Sequence, residues 1–286
     1  MLLGLALLVV LPPPLAHAKG AQRIVDLQSG EVRRSFVLER RLGSGYWSVG
    51  YLAKALDDGE RVAIKMLRPL RLREGKSDSY DKEVDLLRRA ASPALQRAYG
   101  VGLVRGAVGR RAMVMPLFDG YSLFHMPDGP RAPGKAVRIV MQVLRALAGI
   151  HAAGFRHNDV HPGNVFLKDE SSATVKLLDA SEAVPISSTV HNESNWDEPG
   201  KGPVAPGTVT SDIYNVGAVL AFTLTGRYPR RDKQGIVEAV PDLKANDHAD
   251  AVSLRDIVRK AMHPDPTQRY PTAQAMIDAL RPFSTL

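Results

Sequence analysis

The chain of 286 residues contains no cysteine. This absence excludes disulfides, zinc–thiolate sites and a lipid-modified cysteine, because each of them requires a thiol. It does not identify a redox compartment, since a chain without thiols fits a reducing or an oxidising environment equally well.

Long apolar runs are scarce. Leu2 to Leu11 is purely apolar, but a membrane span needs about 20 apolar residues, so we expect no stable span. Pro12 to Pro14 end the run, and Ala16-His17-Ala18 places small residues where a signal peptidase cleaves, which predicts a signal peptide over residues 1–18. The pattern favours an exported or secreted protein. Because a positively charged leading segment is missing, a cytoplasmic protein with a spurious signal is the alternative.

Aromatic residues make up only 6% of the chain, although its net charge is +8. The basic residues form short, scattered clusters such as Arg68 to Arg73 and Arg227 to Lys233, with no ladder of aromatics between them. Nucleic-acid binding usually combines a basic patch with such aromatics. We therefore interpret the charge as a solvated surface and expect no nucleic-acid partner.

The most informative segment is His157 to Asn164, with the sequence HNDVHPGN. It places a carboxylate, Asp159, and a carboxamide, Asn164, five residues apart on a loop bent by proline and glycine. This arrangement suits phosphoryl transfer. The same residue types also form ordinary turns, so the interpretation depends on the rest of the chain.

Upstream segments supply further groups that phosphoryl transfer requires. Leu42 to Ala53 (LGSGYWSVGYLA) has glycines where a hairpin backbone could approach phosphate oxygens, and Val62 to Lys65 is a short apolar strand ending in a lysine. Ser79 to Ala91 predicts an amphipathic helix with Glu83 on a face that could turn toward that lysine. An exposed ion pair between Glu83 and Arg88 is the alternative.

Downstream, Thr174 to Ser181 predicts a strand that runs into a loop, with Asp179 at its end. Ser211 to Pro229 is a mainly apolar segment that begins with Asp212, and the segment HPDPTQRYP carries Arg269. Periodicity predicts short strands between Phe36 and Met115 and helices at Gly134 to Ala153, Ser211 to Thr225, Val252 to Met262 and Thr272 to Leu280.

In this order the motifs resemble those of the bacterial-type serine/threonine protein kinases, of the protein-kinase-like superfamily, over about residues 36 to 284. The resemblance implies a two-lobed α+β fold. A small β-rich N-lobe with one helix is expected at 36–115, a hinge at 116–118 and a larger, mainly α-helical C-lobe at 119–284. Residues 19–35 are then an N-terminal lead segment. With 44% hydrophobic residues the chain can bury a core of this size.

The resemblance implies an enzyme that transfers the γ-phosphate of ATP to serine or threonine hydroxyls of a protein substrate. Asp159 is then the catalytic base, and Lys65, held by Glu83, positions the phosphates. Asn164 and Asp179 are the expected ligands of Mg²⁺, for which Mn²⁺ could substitute.

The resemblance also implies roles for residues outside this reaction centre. Asp212 and His157 are expected to support the catalytic loop, Asp212 by holding its backbone, and Glu198 to pair with Arg269. The residues expected to contact ATP are Leu42, Gly43, Ser44, Gly45, Gly50, Ala63, Lys65, Met115, Leu117 and Phe166.

Several residues depart from the kinase pattern. Asn158 stands where many kinases have an arginine that binds a phosphorylated activation-loop residue, so we expect no switching by loop phosphorylation. Ala180-Ser181 replaces the usual Phe-Gly, and Gly50 replaces a valine over the adenine. His161 stands where a lysine usually offsets the charge on the transferred phosphate. It is given a catalytic role, with simple packing in the loop as the alternative.

Two other functions stay open. A small-molecule phosphotransferase resembling the aminoglycoside kinases is favoured by His161 but disfavoured by the segments around Asp212 and Arg269. An exported pseudokinase that acts as a binding module is favoured by Ala180, Asn158 and the predicted signal peptide. Against the pseudokinase, all five polar residues of the reaction centre are present.

Overall fold

The structure is a computed structural model, and it divides the chain into two compact units. Unit 1 comprises the described residues within 1–88 and 96–119, and unit 2 comprises those within 89–95 and 120–286. The predicted signal peptide at 1–18 and Glu198 lie outside the described residues. The structure describes residues 24–29, 32–45, 48–68, 79–90, 92–105, 111–125, 130–169, 171, 174–189, 208–229, 240 and 252–285.

Unit 1 is a closed antiparallel barrel with one helix. Its strands lie in the order β1-β2-β3-β4-β6-β5, and β1 pairs with both β2 and β5 to close the barrel. The elements are β1 (Ile24–Ser29), β2 (Val32–Ser44), β3 (Ser48–Ala55), β4 (Arg61–Leu67), α1 (Ser79–Arg89), β5 (Gly100–Val104) and β6 (Arg111–Pro116).

Strand β1 lies in the segment 19–35, for which the sequence predicts only a lead into the domain. Its approach to β5 depends on Gly102, because a Cβ atom there would lie 2.8 Å from the carbonyl oxygen of Asp26. The Asp26 carboxylate accepts hydrogen bonds from Ser35 and Arg105. The Arg105 guanidinium, followed by the Ser35 hydroxyl, holds the pKa of Asp26 below its usual value. The described part of the lead segment, residues 24–29 and 32–35, is therefore an integral part of unit 1.

Residues 89–95 also differ from the expected layout, which placed them in the N-lobe at 36–115. They cluster with unit 2 because Leu95 forms a bridge with Leu177, and the N–H group of Leu177 donates to the carbonyl of Ala94 at 2.8 Å. The boundary between the units thus crosses the chain three times, between Arg88 and Arg89, between Leu95 and Gln96, and after Asp119.

Alternation along β4 fixes where the lysine of this strand points. Val62, Ile64 and Met66 face the barrel core, which is closed by apolar residues of all its strands. Leu67 lies on the other face, where it packs with Tyr80 and Val84 of α1. Successive side chains of a strand alternate between its faces, so Lys65 shares the face that packs against the helix.

Unit 2 is mainly helical, with two small antiparallel sheets in the orders β10-β9-β7 and β11-β8. Each helix begins and ends within two residues of its predicted bounds. The helices are α2 (Pro133–Ala152), α3 (Thr210–Thr225), α4 (Leu254–Ala261) and α5 (Ala273–Leu280), and the strands are β7 (Tyr121–Ser122), β8 (Phe155–Arg156), β9 (Val165–Leu167), β10 (Val175–Leu177) and β11 (Val184–Pro185).

Helix α3 is buried along nearly its whole length, from Thr210 to Leu224. Its close contact with α4 depends on Gly217, because a Cβ atom there would lie 2.7 Å from Met262 Cγ and 2.9 Å from Ala261 Cβ. Because its side chains are buried on every face, helix α3 is the central core element of unit 2. None of the described helices has the length and apolarity of a membrane span.

Candidate active site

The predicted lysine–glutamate pair is present in unit 1. Lys65 Nζ donates to both carboxylate oxygens of Glu83 at 3.3 Å, and the two side chains are only 11% and 1% exposed. Tyr80 and Val84, which flank Glu83 on α1, are buried against Leu67 and fix the position of the helix. Burial of Glu83 beside Lys65 disfavours the alternative of an exposed ion pair with Arg88.

The glycine-rich segment forms the hairpin between β2 and β3, with Gly43 opposite Gly50. A Cβ atom at Gly45 would meet nothing within 4 Å, and one at Gly50 would lie 3.9 Å from its nearest neighbours. Local packing therefore does not require glycine at either position. Gly50 also lies directly across from Lys65 in the sheet, so no side chain stands beside the lysine there.

The other expected ATP contacts are divided between the units. Ala63 lies opposite Met115 in the sheet, and Leu117 follows the end of β6 without regular structure. The carbonyl of Pro116, the first residue of the expected hinge, accepts a hydrogen bond from Gln96 at 2.7 Å. Phe166, on β9, is the one expected contact that belongs to unit 2.

In unit 2 the catalytic loop is held by Asp212, which lies on α3 and is fully buried. Its carboxylate accepts the N–H groups of His157 at 2.8 Å and Asn158 at 2.9 Å, and its Oδ2 atom lies 2.8 Å from His151 Nε2. Burial alone would raise the pKa of Asp212, but the hydrogen bond and charge of His151 outweigh it and hold this pKa below its usual value. The expected contact with the loop backbone is therefore present, with His151 as a partner that no motif indicated.

Asn158 adopts a left-handed backbone conformation, with φ of 63°. Asparagine tolerates this region better than most residues. Its carboxamide nitrogen donates to the carbonyl of Glu182 at 3.3 Å. The residue that replaces the usual arginine thus contacts the segment after Asp179 through a neutral hydrogen bond.

His157 is fully buried in the same loop, and its Nδ1 atom accepts the N–H group of Asp159 at 3.3 Å. Burial lowers the pKa of this imidazole, and the charges of Asp212, Asp159 and Asp179 oppose that shift. The His157 side chain is therefore neutral. The fold of unit 2 places the three carboxylates near it.

Asp159 and Asn164 are joined directly. The carboxamide nitrogen of Asn164 donates to the backbone carbonyl of Asp159 at 3.0 Å and to its Oδ2 atom at 3.1 Å. Both partners are acceptors, so the carboxamide atom that contacts them must be the nitrogen, which donates, and not the oxygen. The bonds orient the Asp159 carboxylate and turn the carboxamide oxygen of Asn164 away from it.

Asp179 also has a left-handed backbone, with φ of 61°. Its Oδ1 atom accepts the Ser181 hydroxyl at 2.6 Å and the Ser181 N–H group at 3.2 Å. The N–H group of Leu178 donates to the backbone carbonyl of Asn164 at 2.8 Å, which places Asp179 next to the catalytic loop. Ser181 was not predicted as a site residue, although an Asp followed two residues later by Ser is a turn signal.

The donor set fits a magnesium ion. Magnesium prefers hard oxygen ligands and keeps several waters, and Asn164 and Asp179 offer one carboxamide and one carboxylate. Within the described part of the chain, no group of three His, Cys, Asp or Glu side chains could hold a metal ion. Two protein oxygen donors leave room in the coordination shell of magnesium for waters and phosphate oxygens.

Arg269 is buried beside the start of α3. Its guanidinium donates to the carbonyls of Thr210 at 3.1 Å and His263 at 2.8 Å, and it stacks over the Tyr214 ring at 4.7 Å. Its expected partner, Glu198, lies outside the described residues. Arg269 thus connects the loop after α4 to α3.

Arg156 was missed by sequence reasoning because it precedes the recognised motif. It is fully buried on β8, and its guanidinium donates to the carbonyl of Ser188 at 3.0 Å. Strand β8 also pairs with β11, so that Arg156 lies opposite Val184. Together with Asn158, it fastens the segment after Asp179 to the catalytic loop through neutral acceptors.

The two units and their sites define the class of protein. Residues 36–280 match the model of the protein kinase domain, and the chain belongs to the protein kinase family.

Curated relatives that match most of this chain are bacterial serine/threonine-protein kinases. They include pkn2 of Myxococcus xanthus, 28% identical over 86% of this chain and 32% of its own length. PrkC of Bacillus subtilis is 28% identical over 83% of this chain and 38% of its own length, and PknB of Mycolicibacterium smegmatis is 28% identical over 82% and 40%. The chain thus spans only about a third to two fifths of these relatives.

Solved structures agree on the fold. The PknI kinase domain of Mycobacterium tuberculosis superposes with a TM-score of 0.62 over 89% of this chain and 98% of that domain, at 22% sequence identity. A double mutant of the same domain gives a TM-score of 0.64 over 90% of this chain and 99% of that domain. This likeness shows a two-lobed α+β kinase fold.

Proposed function

We propose that the chain is a protein kinase that uses Mg-ATP to phosphorylate serine or threonine hydroxyls of a protein substrate. Membership of the kinase family and the names of the bacterial relatives support this function. The observation that carries it is the hydrogen-bonded pair of Asp159 and Asn164, because it provides an oriented carboxylate and an adjacent oxygen ligand in one loop.

Asp159 is the residue that receives the acceptor. Its carboxylate is oriented through Oδ2 by Asn164 and can accept the hydrogen bond of an incoming hydroxyl. As the hydroxyl oxygen attacks the γ-phosphorus, its proton passes to this carboxylate, the bond between the γ-phosphorus and the oxygen that bridges it to the β-phosphate breaks, and ADP leaves with that electron pair. Positioned proton transfer of this kind typically contributes about 10²- to 10⁴-fold in rate.

Lys65 supplies a fixed positive charge in unit 1. Because Glu83 holds the ammonium group through both carboxylate oxygens, its position is set before any ligand binds. A charge fixed in advance stabilises phosphate oxygens without a reorganisation cost during the reaction. Asn164 and Asp179 would hold Mg²⁺, which neutralises charge on the phosphates when bound.

The test is transfer of label from γ-labelled ATP to a generic basic protein in the presence of magnesium. We expect Asp159→Asn to lower the rate by about 10²-fold or more, and Lys65→Met to abolish detectable transfer. Lys54→Met and Asp169→Asn serve as matched controls, because each removes the same charge from an exposed position in the same unit. Both controls should transfer label at the wild-type rate.

The assay also separates the rival functions. Label that appears only on a small hydroxylated compound would favour the small-molecule phosphotransferase. Absence of both transfer and a nucleotide-induced thermal shift would favour the pseudokinase. An unchanged rate in Asp159→Asn would contradict the role given to the loop.

A further inference from the structure

His161 has a hydrogen-bonding pattern that fixes its protonation. The N–H group of Gly163 donates to His161 Nδ1 at 3.1 Å. A backbone amide can only donate, so this ring nitrogen must carry a lone pair rather than a proton. In this geometry the imidazole is neutral and its single proton lies on Nε2.

That proton faces the catalytic carboxylate. His161 Nε2 lies 3.6 Å from Asp159 Oδ2, the same oxygen that accepts from Asn164. The separation is longer than a hydrogen bond. Hydrogen bonds between catalytic groups are commonly long in the free enzyme and shorten in the reacting complex.

Gly163 is matched to the histidine ring. A Cβ atom at this position would lie 2.7 Å from His161 Cε1 and 2.9 Å from His161 Nδ1. The φ angle of Gly163 lies outside the left-handed region, so glycine is needed here for space and not for backbone conformation. The His161 ring therefore packs directly against the Gly163 backbone, which fixes the plane of the ring as well as the position of Nδ1.

The same contact between a histidine Nδ1 atom and the N–H group two residues later occurs at His157 and His263. His157 is buried, and His263 bonds within its own turn. Among the three, only His161 presents its other ring nitrogen to Asp159. His263 therefore provides a matched control for the backbone contact alone.

We propose that His161 is a positioning residue for Asp159: a neutral Nε2–H donor, latched by Gly163, that works with Asn164 to orient the catalytic carboxylate. This inference rests on the proposed kinase function. His161 stands where a lysine is usual, and it acts there through a directed hydrogen bond in place of a positive charge.

Steady-state kinetics of four variants test the role. A hydrogen bond to a charged group is worth about 1.5 to 3 kcal/mol, so His161→Ala should lower kcat by about tenfold or more. Gly163→Ala, which keeps the histidine but displaces its ring, should do the same. In both variants KM for ATP should stay near the wild-type value. His161→Gln, a neutral donor, should restore most of kcat, and the control His263→Ala should match wild type.

The opposite pattern overturns the inference. If His161→Lys equals or exceeds wild type while His161→Gln behaves like His161→Ala, the position acts through charge. If His161→Ala keeps the wild-type kcat, the ring only packs in the loop.

A second measurement does not depend on activity and therefore distinguishes failure of this inference from failure of the proposed function. Nitrogen NMR of the histidine rings in the full chain should show His161 with a proton on Nε2 and none on Nδ1. The Nε2 signal should shift in Asp159→Asn, and the tautomer preference should be lost in Gly163→Ala. A proton on Nδ1 in the wild type would overturn the inference even if the chain is an active kinase. If the wild type transfers no phosphate, the proposed function fails, and the NMR result still decides whether His161 is latched as described.

Discussion

The two units bury their ionisable groups in different ways. In unit 1 the Lys65 ammonium meets the carboxylate of Glu83 across the contact between a strand and a helix. In unit 2 the Asp212 carboxylate is surrounded by two backbone N–H groups and the imidazole of His151. The first arrangement is an ion pair between two side chains, and the second is a carboxylate held by the backbone of a loop together with one imidazole.

This difference determines what each arrangement can do. A buried ion pair recovers little more than its desolvation penalty, so its presence is better explained by the position of Lys65 than by stability. A carboxylate that accepts several hydrogen bonds both stabilises the fold and fixes the conformation of the loop that donates them. The buried pair of unit 1 therefore fixes the position of the Lys65 charge, whereas the buried carboxylate of unit 2 fixes the backbone conformation of the catalytic loop.

The largest effect is expected at Asp212. Asp212→Ala leaves two buried N–H groups and His151 without their acceptor, at about 1 to 3 kcal/mol for each group. We expect the free energy of unfolding to fall by about 4 kcal/mol, measured by denaturant titration. Asp212→Asn keeps one acceptor oxygen and should lose about half as much. A loss below about 1 kcal/mol for Asp212→Ala would show that the backbone does not depend on this carboxylate.

A smaller loss is expected in unit 1. Glu83→Gln removes the negative charge of the buried carboxylate that binds Lys65 and should cost about 3 kcal/mol in the same titration. The double variant Lys65→Met/Glu83→Leu replaces the pair by apolar groups and should return to within about 1 kcal/mol of wild type. It should nevertheless transfer no phosphate. A double variant as unstable as Glu83→Gln would show that the pair itself stabilises unit 1.

His157 makes the stability of unit 2 depend on pH. Its pKa is lowered from 6.5 by burial, so below this value the unfolded chain binds a proton that the folded chain does not. Titration of His157 therefore has no effect on the free energy of unfolding above about pH 6.5. Below that pH the free energy of unfolding falls by up to about 1.4 kcal/mol per pH unit. Thermal unfolding of wild type and His157→Phe between neutral and mildly acid pH measures the difference. Parallel curves would mean that His157 titrates normally in the folded protein.

The smallest effect is expected for an exposed pair in unit 1. Arg111 donates to both carboxylate oxygens of Asp81 and lowers the pKa of that group, but the Asp81 side chain is 58% exposed. Exposed ion pairs contribute about 0 to 1 kcal/mol, so Asp81→Ala should cost less than about 1 kcal/mol. A cost similar to that of Glu83→Gln would remove the contrast between the buried and the exposed pair.

The polar residues of the reaction centre could be found from sequence because each lies in a short segment with a fixed order of residue types. Asp159 and Asn164 share one loop, and Asp179 follows a recognisable strand. Lys65 and Glu83 required one more step, the inference that a helix face turns toward a strand. The helices of unit 2 were also predictable, since their apolar periodicity reflects the core that they face.

Other features could not be read in this way. Closure of the barrel depends on pairing between Leu27 and Gly102, which are distant in the chain and share no local pattern. His151 and Arg156 act through contacts with a buried carboxylate and a backbone carbonyl, and neither contact leaves a periodic signal. The fit of Gly163 to the ring of His161 appears only when both are placed in three dimensions.

Strand β1 also limits how unit 1 can interact with other chains. A sheet with free edges can bind an extended peptide by adding it as a further strand. Because β1 pairs with the edges of both β2 and β5, a peptide could bind either edge only by displacing β1. Recognition of unit 1 by strand addition would thus be a competition with residues 24–29, and the charge pair between Asp26 and Arg105 sets part of the barrier.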